Sequence, residues 1–142
     1  MASTIPKTYR KEITDRLDTT DVLYVALFTN SLSAWTGLNV AESTYTQIAA
    51  AYTEASGTGY TAGGKAQTVT SGYVGATNVA IITADTTTQW TITGSLTCRY
   101  ALWYEFVGKK VRAVTDLGGD KTVTDGTITI TWDATSGVIK VS

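Results

Sequence analysis

The sequence predicts a mainly β fold: an antiparallel β-sandwich with an N-terminal helix and a short additional helix. Two observations lead there. Threonine alternates with large apolar residues in short runs, most clearly in Thr127-Ile128-Thr129-Ile130-Thr131-Trp132. A side-chain period of two sends Ile128, Ile130 and Trp132 to one face of such a strand and the threonines to the other. The runs also recur at regular spacing with turn signals between them, the pattern of a sandwich or compact barrel with about seven or eight strands.

Along the chain, Thr4-Ile5-Pro6 reads as a helix start, with proline in the first turn where its missing donor costs nothing. Tyr9, Ile13 and Leu17 follow at helical spacing, so one amphipathic helix of about three turns is expected. Residues 21–28 are apolar on both alternating faces and suit a strand covered on both sides, central in a sheet. Residues 30–41 read as loop, with Trp35 either an exposed contact residue or a side chain folded back over the core. Tyr45, Ile48, Ala49 and Tyr52 align on one face of a short helix over 42–52.

Residues 56–64 then break regular structure. The glycines there lack the Lys-Ser/Thr ending of a phosphate loop and instead permit a tight crossing that closes against the sheet. Strands are expected at 69–74, 78–84 and 89–93, the last with Trp90 and Ile92 on one face. Over 97–106, alternation places Cys98, Tyr100, Leu102, Tyr104 and Phe106 together and Trp103 opposite, beside Arg99 and Glu105. Val107-Gly108-Lys109-Lys110 is a hairpin turn into a strand at 111–115, and Ala134-Thr135-Ser136-Gly137 links the strand ending at Trp132 to a last one at 138–141. Ile128, Ile130 and Trp132 are expected in one core with Trp90, Ile92 and Leu102. Residues 1–142 thus form one β-sandwich domain, with 1–18 an N-terminal helical segment and 19–142 the β core.

Composition narrows function. The chain has no histidine, which removes the commonest general base and neutral metal ligand. Its one cysteine, Cys98, allows no internal disulfide and no cysteine-cage zinc site, and sits in line with core residues. A net charge of −1 argues against the broad basic face of a nucleic-acid binder. Charged residues are 16% of the chain, against about 25% in ordinary soluble domains. Its surface must therefore be rich in uncharged Thr, Ser, Gly, Asn and Gln, which suits close assembly with neighbours. The first residues carry no apolar signal core, and the longest apolar run is too short to span a bilayer.

Two constellations invite chemistry. Asp116, Asp120 and Asp125 fall within ten residues, but Gly-Gly-Asp and Asp-Gly are ordinary turn chemistry and lack an alternating calcium-ligand pattern. Tyr100, Trp103, Tyr104 and Phe106 suggest a sugar-stacking platform, which strand alternation divides between two faces. No catalytic residue, cofactor or metal ligand is assigned, and an enzyme is not expected.

Four segments in order, Gly57-Thr58-Gly59-Tyr60-Thr61-Ala62-Gly63-Gly64, Arg99-Tyr100-Ala101, Leu117-Gly118-Gly119-Asp120-Lys121 and Gly126-Thr127-Ile128-Thr129-Ile130-Thr131-Trp132-Asp133, resemble a family of small virion structural proteins of tailed bacteriophages. The resemblance covers most of the chain from Val22 onward. It implies a place in a viral particle assembled in the host cytoplasm. The leading expectation is a capsid decoration or cement protein that stabilises the head shell. The alternatives are a neck, tail or fibre component, or a carbohydrate-binding module on the virion. The expected partners are the major capsid protein or other virion proteins and further copies of the chain, with no nucleic acid and no membrane. The candidate partner interface is Ile5, Lys7, Tyr9, Arg10, Lys11 and Trp35. The basic residues would steer docking and the apolar ones would hold it.

Overall fold

The apolar run after residue 21 becomes a central strand because both of its faces must be buried. In the computed structural model, which describes residues 22–36, 43–67, 69–74, 79–84, 88–130 and 139–141, this strand is β1 (Leu23–Phe28), and only Tyr24 among its six side chains is not fully buried. The remaining strands are β2 (Lys65–Gln67), β3 (Val69–Val74), β4 (Val79–Ala84), β5 (Thr88–Glu105), β6 (Val111–Ile130) and β7 (Ile139–Val141). They form a four-stranded sheet in the order β2-β1-β5-β6 and a three-stranded sheet in the order β3-β4-β7. Every strand pairing is antiparallel. The four-stranded sheet is open, with β2 and β6 at its edges. The fold is mainly β, as expected. The N-terminal helix expected over residues 6–17, the turn at 134–137 and Trp132 lie outside the described residues.

Asn30–Ala34, expected as loop, is a short 3-10 helix whose cap, Thr29, accepts a hydrogen bond from the Ser31 N–H. The next helix, α1 (Tyr45–Ala51), starts on a capping box. Thr44 Oγ1 accepts from the Gln47 N–H at 3.4 Å while Gln47 Oε1 accepts from the Thr44 N–H at 3.1 Å. Two helix-end donors are satisfied in one exchange, which is what lets seven residues hold as a helix. Its face brings Ile48 into one side of the sheet.

The sheet carries a separate apolar cluster on each face. Leu23, Val25 and Leu27 of β1 join Trp90, Ile92, Leu96, Cys98, Ala101 and Trp103 of β5 on the first. Ala26 and Phe28 join Leu102 and Tyr104 on the second, under Leu32 of the 3-10 helix and Ile48 of α1. Ile130 and the partly buried Ile128 pack with Trp90 and Ile92 as expected, but Leu102 belongs to the opposite face.

Residues 97–106 also divide differently from the simple alternation. Cys98 faces the first cluster, whereas Tyr100, Leu102 and Tyr104 face the second. Trp103 is fully buried in the first cluster instead of lying on a polar face. Phe106 falls beyond the strand and is exposed. The cause is a break in register: Cys98 pairs with Lys121, but Tyr100 pairs with Asp116. An irregularity of this kind shifts the phase of every side chain beyond it.

The same bulges explain why segments expected as separate strands are continuous. Residues 89–93 and 97–106 merge into β5, and 111–115 merges with 127–130 into β6. Gly118 and Gly119 adopt φ of 78° and 124°, and Asp125 a φ of 45°. Asp116 Oδ1 accepts from the Gly118 N–H at 2.9 Å, and Asp125 Oδ1 from the Gly94 N–H at 2.7 Å. The Asp/Gly signals are real turn chemistry, spent on kinking a long hairpin instead of ending its strands.

Trp103→Ala is therefore expected to lower folding stability by about 3–5 kcal/mol through loss of a buried ring and the cavity left behind. Chemical denaturation measures it; a change below about 0.5 kcal/mol, ordinary for a surface site, would return Trp103 to the exposed face.

Candidate functional site

The glycine-rich segment is a strap whose shape depends on two positions. Gly59 and Gly64 have φ of +99° and +74°, and a Cβ on either would overlap a carbonyl oxygen, of Thr91 and of Val25 respectively. Only glycine allows the strap this close to β5 and β1. Backbone bonds fasten it along its length: the Ala55 N–H donates to Leu27 O at 2.8 Å and the Thr93 N–H to Thr58 O at 2.9 Å. The segment closes against the sheet, as expected.

Glu54 is the anchor that holds the strap. Its Oε1 accepts from the Tyr60 hydroxyl at 2.6 Å and from the Gly63 N–H at 2.7 Å, while Oε2 accepts from the Tyr45 hydroxyl at 2.7 Å. The Tyr60 oxygen in turn accepts from the Leu27 N–H at 2.8 Å. Tyr104 donates to Gly63 O at 2.7 Å and stacks on Tyr45 with ring centroids 4.6 Å apart. Burial, reinforced by the hydrogen bond to Glu54, pushes Tyr45 and Tyr60 well above the usual phenol range. Burial followed by the Glu54 charge pushes Tyr104 up to about 12. This is a structural acceptor for three neutral donors, two from the strap and one from α1. Sequence reading passed over Glu54, since one carboxylate between two apolar segments carries no local signal of its partners.

Two of the three acidic residues considered for a cation, Asp116 and Asp125, are occupied otherwise. Asp116 lies 3.3 Å from the Arg99 guanidinium, which, with the Gly118 N–H, holds its carboxyl below the usual range. Asp125 caps the Gly94 bulge. Among the described residues no three Asp, Glu, Cys or His side chains are grouped to hold a metal. Cys98 is buried, and burial followed by the Asp120 charge pushes its thiol up to about 11, so the inert thiolate-poor state prevails. Trp103 and Tyr104 of the proposed sugar platform are buried.

Of the expected interface residues, Trp35 is half-buried against the second cluster, so it folds back over the core. Ile5, Lys7, Tyr9, Arg10 and Lys11 lie outside the described residues. The structure exposes another apolar surface instead. At the β5–β6 hairpin loop, closed by the Glu105 N–H donating to Lys110 O at 2.9 Å, Phe106 is 45% and Val107 71% exposed, beside Val22 at 52%. The Phe106 N–H donates to Val22 O at 2.9 Å, and its ring stacks on Tyr24 at 4.7 Å. Lys109 Nζ lies 4.0 Å from the centroid of the Phe106 ring, a cation over an aromatic face. Residues 1–21 join the described body at this tip. Phe-Val at a hairpin loop, where polar residues are the rule, was the signal available in sequence.

Two expectations follow from the strap. Tyr45, Tyr60 and Tyr104 have raised folded-state pKa values, so their contribution to stability is complete below about pH 10, the unfolded phenol value. It is lost as pH rises through the folded values; absorbance titration should show these tyrosines ionising late and together with alkaline unfolding. Tyr60→Phe keeps the ring but strands the Leu27 N–H and leaves Glu54 Oε1 with the Gly63 N–H, costing about 1–3 kcal/mol, as denaturant titration at neutral pH should report.

Among the described residues no helix is long and apolar enough to cross a membrane. No protein-family model, no curated protein and no solved structure matches the chain.

Proposed function

We propose that the chain is a virion structural protein of a tailed bacteriophage, a capsid decoration or cement protein whose work is mechanical. It would add buried interface across neighbouring shell subunits, so that separating them costs more. The ordered segments that resemble phage structural proteins support the class. The observation that supports attachment is the exposed Val22, Phe106 and Val107 tip at the root of the N-terminal segment. Ile5, Lys7, Tyr9, Arg10 and Lys11 would extend that surface, with the apolar members holding and the basic members orienting.

A sandwich belongs to the same proposal: the β3-β4-β7 sheet would supply a second layer over the first apolar face. Complete burial of Leu23, Val25 and Trp103 on that face supports it. The carbohydrate-module alternative is disfavoured by the burial of Trp103 and Tyr104, which leaves its platform without those two aromatics.

The test offers three folded proteins to heads lacking the decoration: the full chain, a chain beginning at Thr19, and Phe106→Asp with Val107→Asp. Circular dichroism first establishes that each is folded. The full chain is expected to bind heads and raise the temperature at which they rupture, and both variants to lose occupancy at least tenfold, about 1.4 kcal/mol. Binding to necks or tails alone would move the protein to those sites. Undiminished occupancy by both variants would remove the tip and the N-terminal segment from the attachment.

A further inference from the structure

The large apolar side chains that stand exposed among the described residues, Val22, Phe106 and Val107, all lie at the β5–β6 hairpin tip. The tip is shaped in advance. Gly108 and Lys109 adopt φ of 73° and 58°, the two left-handed positions of a tight hairpin turn. Such a φ is uncommon for a lysine, and here it sets the Lys109 ammonium 4.0 Å from the Phe106 ring centroid and 5.6 Å from that of Tyr104. With Tyr24 stacked on it as well, the Phe106 ring is held before anything meets it, which lowers the ordering cost of a contact. The tip is also basic. Glu105 is engaged by Arg112, and among the described residues no carboxylate pairs with Lys109 or Lys110.

The chain delivers a matching segment to this place. Residues 1–21, outside the described residues, lead directly into Val22. Ile13 and Leu17 are spaced to share one helical face with Tyr9, an apolar stripe that needs cover. From Ile13 to Asp21, three carboxylates, Asp15, Asp18 and Asp21, stand against one cation, Arg16. Four residues separate Leu17 from Val22, a reach of at most about 18 Å. On so short a tether the segment meets the tip at a high effective concentration. We propose that the tip is the seat of the chain's own residues 13–21: Ile13 and Leu17 pack on Phe106 and Val107, and Asp18 and Asp21 face Lys109 and Lys110. Tether length, apolar character and charge together select this occupant; a foreign acidic surface or a second copy has no tether to bring it there. Seating leaves the basic part of the segment, Lys7, Arg10 and Lys11, projecting from the body as an arm.

The seating does not depend on a role in a virion, and it is tested on the isolated protein. Val107→Cys supplies a probe thiol, since Cys98 is buried. Its reaction with an uncharged maleimide is expected to be at least roughly tenfold slower in the full chain than in the same variant beginning at Thr19, with circular dichroism showing both folded. In the full chain, Lys109→Glu with Lys110→Glu is expected to speed the reaction, and adding Asp18→Lys with Asp21→Lys to slow it again. Recovery of that kind reports opposed charges and not a loss of fold. Equal rates in the long and short chains would overturn the proposal. So would protection that grows with protein concentration, because a second copy would then be the cover. Charge reversal that the aspartate changes fail to rescue would equally remove residues 13–21 from the tip.

Discussion

A strand with apolar side chains on both faces must be covered twice, and β1 imposes that requirement on everything around it. On one face the cover comes from the 3-10 helix and α1, through Leu32 and Ile48. On the other, the chain returns as the strap, bringing Ala55 and Tyr60 against Leu23, Val25 and Leu27. The strap has too few apolar residues to hold itself down by packing. It is fixed by polar bonds, to β1 and β5 through Leu27, Thr93 and Tyr104 and to Glu54, which receives the Tyr45 and Tyr60 hydroxyls and the Gly63 N–H. Hydrogen bonds to a charged acceptor are the stronger kind, and once shielded from water they are costly to break singly. The strap's glycines are the steric counterpart of these bonds, because contact this close to β1 and β5 excludes a side chain at Gly59 and Gly64.

The second constraint is the length of the β5–β6 hairpin. Two strands of 18 and 20 residues cannot run straight without presenting a flat edge. Glycine at 94, 118 and 119 and aspartate at 116 and 125 divide the hairpin into shorter arms, each bulge capped by a carboxylate. The phase shift opposite Arg99 follows, and with it the placement of Trp103 in one cluster and Leu102 and Tyr104 in the other. Charged side chains on this hairpin are engaged with near neighbours, Arg99 with Asp116 and Arg112 with Glu105. Such exposed pairs contribute little stability. Their consequence is a surface whose character is set by threonine and by apolar residues at the tip and along the groove.

That surface fits a protein that acts through contact. The polar groups with chemical potential, Glu54, the tyrosines, Asp116 and Asp125, are consumed in holding backbone. What remains outward is apolar at the hairpin loop, where Phe106 and Val107 are exposed.

The amino-acid sequence by itself determined the elements whose signal is local. The doubly apolar β1, the face of α1, the β3–β4 pairing segments, the buried Cys98 and the close-packed glycine strap are legible because periodicity and glycine act over a few residues. Only the tertiary structure decided the rest. Whether Asp-Gly ends a strand or bulges it depends on a partner strand a long way off in sequence, so continuity of β5 and β6 was invisible, and with it the face of Trp103. The role of Glu54 needed Tyr45, Tyr60 and Gly63 to be brought together by the fold. The exposure of Phe106 depended on where β5 ends, since the hairpin loop begins there and leaves its ring covered by Tyr24 on one side.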